Sequence, residues 1–211
     1  MSAQPNLDLQ PPTRTLRFDP MPHQYWLEPD GIELPSVTTA LKSAGLIDYS
    51  MIPQDVLQNA SARGTAVHMA LQFLDEETLD LEALDFDLVG YVIAYQQFCQ
   101  DTGFVPAMIE QRVWSPQWRY AGTLDRTGTM GADLACLDFK TGLVMPAHAL
   151  QLAAYTMCLP DPRRFRRIAL KLNGDGTYRV HEFPGKELRQ DFDVFLAALA
   201  CHNWRAVKGV D

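Results

Sequence analysis

No stretch of this 211-residue chain is apolar over the ~20 residues that a helix needs to cross a bilayer, so the sequence predicts a soluble protein with no membrane partner. Its first residues, MSAQPNLDLQPPTR, lack the basic start and apolar core of a signal peptide, which predicts an intracellular, cytoplasmic location. Positive charge is in short supply. Eighteen Lys and Arg stand against 26 Asp and Glu, a net charge of −8, which excludes a protein that coats nucleic acid through a broad basic face. It leaves open an enzyme acting on nucleic acid, because carboxylates serve metal sites and a small basic patch is enough to place a phosphate backbone. Cysteine is sparse as well. Cys99, Cys136, Cys158 and Cys201 are scattered through apolar contexts without the grouped spacing of cluster ligands, so they read as buried reduced thiols and no iron–sulfur cluster is expected.

What is present concentrates between Gly122 and Tyr155: GTLDRTGTMGADLACLDFKTGLVMPAHALQLAAY. Residues alternate faces along a strand, so Asp138 and Lys140 project together while Phe139 points the other way. If 120–128 and 134–140 form an antiparallel hairpin about Met130–Asp133, Asp125 falls opposite Asp138, with Cβ atoms roughly 4.5–5.5 Å apart. Two carboxylates that close repel unless a cation or proton lies between them. Oxygen ligands suit a hard divalent ion, Mg²⁺ or Mn²⁺, and Lys140 beside it is placed to orient or deprotonate an attacking water.

Together with Arg63-Gly64-Thr65-Ala66-Val67-His68, this order of motifs resembles the PD-(D/E)XK nuclease superfamily, and within it the RecB-like exonuclease domains. The residues that carry the likeness are His68 in Gly-x-x-x-His, Asp125 in Gly-Thr-x-Asp, Asp138-Phe139-Lys140, and Gln151-x-x-x-Tyr155. The Pro35–Thr39 stretch adds to it, and the similarity covers roughly residues 35 to 180. The resemblance implies a restriction-endonuclease-like core. It implies a metal held by His68, Asp125, Asp138 and the backbone carbonyl of Phe139, with Lys140 as the water-positioning residue and Gln151 and Tyr155 steadying the site and the substrate backbone. Glu110, on the preceding strand, would bind a metal-bound water or be an ordinary surface glutamate. Imidazole favours Mn²⁺ somewhat more than Mg²⁺.

Along the chain, residues 1–13 read as a flexible polar leader and 14–211 as one domain. Thr15 to Ile32 suggests a small hairpin turning at 28–31, whose His23, Tyr25 and Trp26 either contact substrate or pack on the core. Ser36 caps a short helix, Val37–Ala44. A second helix runs from Pro53 or Gln54 to Leu74, where Gly64 would leave room beside the His68 imidazole. The acidic run at 75–87 reads as a solvated connection, followed by a helix over Phe86–Asp101 that ends at Gly103. Strands follow near 107–115, 119–128 and 134–140, then a helix from Pro146 to Leu159, strands at 166–172 and 177–183, and an amphipathic helix from Lys186 to about Arg205. Trp114, Trp118 and Tyr120 either stack on unpaired bases or pack the sheet. Arg163, Arg164, Arg166 and Arg167 are the densest positive charge and the leading candidates for phosphate contacts.

This order of elements predicts an α/β (α+β) domain, a mixed central sheet flanked by helices. The function expected is a metal-dependent deoxyribonuclease acting on DNA, more an exonuclease than an endonuclease, in DNA repair, recombination or phage genome processing within a bacterial or phage-infected cell. A homo-oligomer or a replication or recombination partner is compatible with the resemblance. The rivals are a structure-specific endonuclease, a non-catalytic nucleic-acid or protein-binding module on the same fold, and a two-carboxylate enzyme such as a glycosidase, which would need neither the lysine nor a metal.

Overall fold

A computed structural model describes residues 14–210, so the expected leader at 1–13 lies outside the described residues. The chain opens with three short strands, β1 (Thr15–Asp19), β2 (Gln24–Glu28) and β3 (Ile32–Leu34), paired antiparallel in that order. The expected turn at 28–31 is there, between β2 and β3, with Gly31 at φ 63°. A second turn at 20–23 adds β1, so this extension is a three-stranded sheet and not a single hairpin. Alternation explains how it docks. Tyr25 and Leu27 on one face of β2 are buried with Leu34 against Ala121, while their neighbours remain partly exposed.

Helix α1 (Val37–Ser43) begins where the side chain of Ser36 accepts the N–H of Thr39 at 3.0 Å. Helix α2 (Gln54–Asp75) is the long one that carries His68, and α3 (Phe86–Thr102) ends at Gly103, whose φ of 66° supplies the left-handed turn into the sheet. A central sheet follows: β4 (Phe104–Trp114), β5 (Ala121–Met130), β6 (Asp133–Lys140), β7 (Phe165–Leu172) and β8 (Tyr178–Phe183), hydrogen-bonded in that order. All neighbours run antiparallel except β6 and β7, which are parallel because α4 (Ala147–Thr156) carries the chain back across one face between them. Helix α5 (Leu188–Lys208) closes the domain.

The sheet is therefore covered on both faces. Leu124, Cys136 and Ala169 pack against α1, α4 and α5, whereas Leu137, Phe139, Ile168 and Leu170 pack against α2 and α3. Burial on both sides accounts for the nearly continuous apolar run of β6, where Ala135 to Phe139 is apolar save for Asp138. The fold is thus the expected mixed sheet flanked by helices. Among the described residues no helix is long and apolar enough to cross a membrane.

Candidate metal centre and catalytic site

The β5–β6 register sets the site. Met130 lies opposite Asp133 and Arg126 opposite Leu137, so one further step brings Asp125 opposite Asp138. The ladder stops before that step. Asp125 Oδ2 accepts the N–H of Phe139 at 2.5 Å, a side chain taking the place of the backbone partner, and the two strands part there. On the other flank Ile109 pairs with Arg126 and Gln111 with Leu124, while Glu110 and Asp125 are skipped. Glu110 has φ 47°, a left-handed conformation that a non-glycine residue adopts only under constraint. The irregularity also switches faces along β5: Leu124 enters the core beneath α1 and α4, yet Arg126 lies over the Phe139 ring on the α2 side.

Three side chains converge on this opening, with a fourth, Asp138, beside them. Nδ1 of His68 is 3.5 Å from Oδ1 of Asp125 and 3.9 Å from Oε1 of Glu110, and ligand atoms of His68, Glu110 and Asp125 all lie within 4.8 Å of one another. Glu110, expected to act through water or as a surface residue, belongs to the same group, a little farther from His68 than Asp125 is. Asp138 does not join that trio. It is 1 % exposed and forms an ion pair with the Lys140 ammonium, on the face shared by the two residues. Apart from that ammonium, its Oδ2 has no hydrogen-bond partner among the described residues. Phe139, named for its carbonyl, contributes its N–H to Asp125 and packs its ring edge-on to His68. An imidazole, two carboxylates and a buried third carboxylate oxygen with spare capacity make a donor set that fits a hard or borderline divalent cation.

The electrostatics agree with a site built for added positive charge. Burial, then the neighbouring Asp125, pushes Glu110 up to about 7. Burial likewise lifts Asp138 to about 6 against the pull of Lys140. At His68, burial disfavours the imidazolium but the Asp125 carboxylate outweighs it and raises the group to about 9. Asp125 is held below its ordinary value, since His68 and Lys140 overcome its burial. The protons that linger on Glu110 and His68 sit where a cation would replace them.

Gln151 and Tyr155 lie one turn apart on α4 and are joined by a 3.2 Å hydrogen bond, but they are 7 % and 5 % exposed, so this is no helix-surface pair. The Tyr155 ring explains Gly122 of the Gly-Thr-x-Asp motif. A Cβ there would come within 2.4 Å of the Tyr155 Cε1. Gly122→Ala is expected to cost about 1–3 kcal/mol by overpacking, roughly a 5 °C fall in Tm for a domain of this size, measured by thermal melting. By contrast Gly64 does not make room for the imidazole, as the spacing suggested. The nearest atom to a Cβ built on it is Thr141 Oγ1, at an ordinary 3.8 Å.

Other expectations need correction. Arg167 is buried at 1 % exposure, where it donates to Asp191, the Ala149 carbonyl and the Pro184 carbonyl. Arg166 is committed to Glu182 through two hydrogen bonds, which leaves Arg163 and Arg164 as the exposed members of the run. The run also begins at the far end of the sheet. Phe165 pairs with Leu134, four residues or roughly 13 Å along β6 from Asp138. Tyr25 and Tyr120 are packing residues, hydrogen-bonded to Thr123 and to the Ala154 carbonyl, whereas His23 and Trp118 are exposed. Cys136 is a buried thiol as expected, but Cys201 is exposed on α5.

The acidic run was not solvated throughout either. Asp75 at its start is the 2.6 Å partner of Arg126 Nε and accepts from the Tyr95 hydroxyl at 3.0 Å. Sequence reasoning missed this group. Arg126 adjoins Asp125, and its strand position was the one available signal that its side chain belonged to the interior. Comparison with protein-family models finds no match for this chain, and comparison with the curated proteins finds none.

Proposed function

We propose that this protein is a metal-dependent deoxyribonuclease of the RecB-like, PD-(D/E)XK kind, hydrolysing DNA phosphodiester bonds as an exonuclease in DNA repair, recombination or phage genome processing, in the cytoplasm. The observation that carries the reading is the convergence of His68, Glu110 and Asp125, with the Asp138–Lys140 pair beside them, where β5 and β6 part. A glycosidase would have no use for an ammonium ion paired to one of its two carboxylates.

His68, Glu110 and Asp125, with the free capacity of Asp138, are the residues that would hold Mg²⁺ or Mn²⁺. Such a cation supplies Lewis-acid stabilisation of the phosphate and a more acidic water. The chain's own groups do the rest. Asp138 keeps Lys140 in place and charged, its ammonium raised above the ordinary range because Asp138 and Asp125 outweigh burial. The ammonium orients the attacking water and stabilises charge as it develops on the phosphoryl oxygens. Gln151 and Tyr155 fix the wall beneath the motif strand through their hydrogen bond and the Gly122 contact.

The test is hydrolysis of end-labelled single-stranded and duplex DNA, linear and circular, with Mg²⁺ or Mn²⁺ and with chelator. Metal-dependent loss of linear DNA that spares circles is the expected result. Cutting of circles would make the protein an endonuclease. A folded protein that cleaves nothing would leave a binding module, and cleavage indifferent to chelator would remove the metal from the mechanism.

A further inference from the structure

Arg126 is wholly buried, and two of its identified partners, the Glu110 carboxylate and the Asp125 carbonyl, belong to residues of the candidate metal centre. Its Nε donates to Asp75 at 2.6 Å, and its Nη1 donates both to Glu110 Oε1 at 2.9 Å and to the carbonyl of Asp125 at 2.6 Å. The guanidinium carbon lies 5.1 Å from the centre of the Phe139 ring, which supports the cation from the sheet side. Asp75 is held in turn by the Tyr95 hydroxyl. The arrangement is a strut from α2 and α3 through β5 to one oxygen of Glu110. Glu110 is also one of the residues that the β4–β5 ladder skips, and its backbone is left-handed, a conformation that persists only when its surroundings impose it. A guanidinium presents its donors in a rigid planar fork, so it fixes where a carboxylate points, which a lysine ammonium cannot do.

We infer that Arg126 is a positioning residue: braced by Asp75 and Tyr95, it holds Oε1 of Glu110, the oxygen 3.9 Å from His68 Nδ1, and so fixes where that carboxylate stands for the cation shared with His68 and Asp125. The inference rests on the metal-site reading above and extends it to the source of the site's geometry. Groups that orient metal ligands typically contribute 10–100-fold to metal affinity. Arg126→Lys, which keeps the charge and loses the fork, therefore weakens Mn²⁺ binding by about that factor through Glu110 alone.

The experiment is Mn²⁺ titration calorimetry on the full-length wild type, Arg126→Lys, Glu110→Gln and the double variant, with circular dichroism to establish folding. The expected result is strong non-additivity: once Glu110 is Gln, adding Arg126→Lys weakens binding no further. Equal fold-losses in both backgrounds would overturn the inference and leave the metal site standing. Absence of Mn²⁺ binding by folded wild type would overturn both this inference and the nuclease reading. Non-additive binding in a protein that cleaves no DNA would support the inference while the nuclease reading failed. Should Arg126→Lys not fold, Asp75→Asn takes its place in the same cycle: it leaves the arginine present but unbraced, and the same criterion decides.

Discussion

Lys140→Ala is expected to abolish measurable DNA hydrolysis, a fall of roughly 10²–10³-fold or more, while the protein stays folded and still binds a divalent cation. The ammonium sits in the interior of the site and its identified salt-bridge partner is Asp138, on the shared face of β6. On the proposed mechanism, removing it takes away charge aimed at the reacting phosphate but none of the His68–Glu110–Asp125 trio. The fold should tolerate the loss because Asp138, already raised to about 6 by burial and by Asp125, can take up a proton when its partner goes. Asp138→Ala is expected to be equally inactive for a different reason. It strands the ammonium in a buried position and removes the carboxylate oxygen with spare capacity, so metal affinity should fall as well. Single-turnover hydrolysis of linear DNA, Mn²⁺ calorimetry and thermal melting on both variants separate the two. Unchanged turnover in Lys140→Ala would remove the lysine from the chemistry, and lost metal binding in that variant would show that its role is to shape the carboxylates.

The contrast between these residues and Arg126 shows what the sequence makes legible. Asp138 and Lys140 are two apart on one strand, and Asp125 is placed by counting back from a tight turn, so strand periodicity and hairpin register suffice to bring them together. Ser36 and Gly103 mark helix ends by their own chemistry, one as a side-chain acceptor and the other by a left-handed backbone. Asp75 and Arg126 are 51 residues apart, and their meeting depends on how α2 packs on the sheet, which no local pattern encodes. Glu110 was found as an acid on the right strand, but the skipped pairing that turns it toward His68 is a backbone irregularity without a side-chain signature. Arg167 was misjudged by treating four arginines as one patch. Once β7 begins at Phe165, alternation puts Arg166 outward with Glu182 and Arg167 inward with Asp191.

Chelated protein is expected to lose thermal stability as pH rises from about 6.5 to about 9, and a saturating divalent cation is expected to remove most of that loss. The sign follows from His68. Burial opposes its imidazolium, but Asp125 and Glu110 raise it from 6.5 to about 9 in the folded chain. A basic group raised on folding stabilises fully below its unfolded value, and that stabilisation disappears as pH climbs through the folded one. Glu110, raised to about 7 by burial and Asp125, and Asp138, raised to about 6 chiefly by burial, act with the same sign at lower pH, because the native chain holds protons there that the unfolded chain has released. Asp125 is lowered and acts oppositely, but only in the acid range below its ordinary value. The window above 6.5 therefore reports mainly on His68, and with its side chain 29 % exposed the loss should be discounted to ~1–3 kcal/mol, a fall of several degrees in Tm. A cation at the trio replaces the proton, so its stabilising effect should be larger at pH 9 than at pH 6. Melting curves at pH 6, 7, 8 and 9, with chelator and with Mg²⁺, read this directly. Asp125→Asn, which removes the main support of the imidazolium, should flatten the chelated profile. A Mg²⁺ shift in Tm of the same size at both ends of the range would mean that the cation does not compete with the site's proton, and His68 would then be excluded as its ligand.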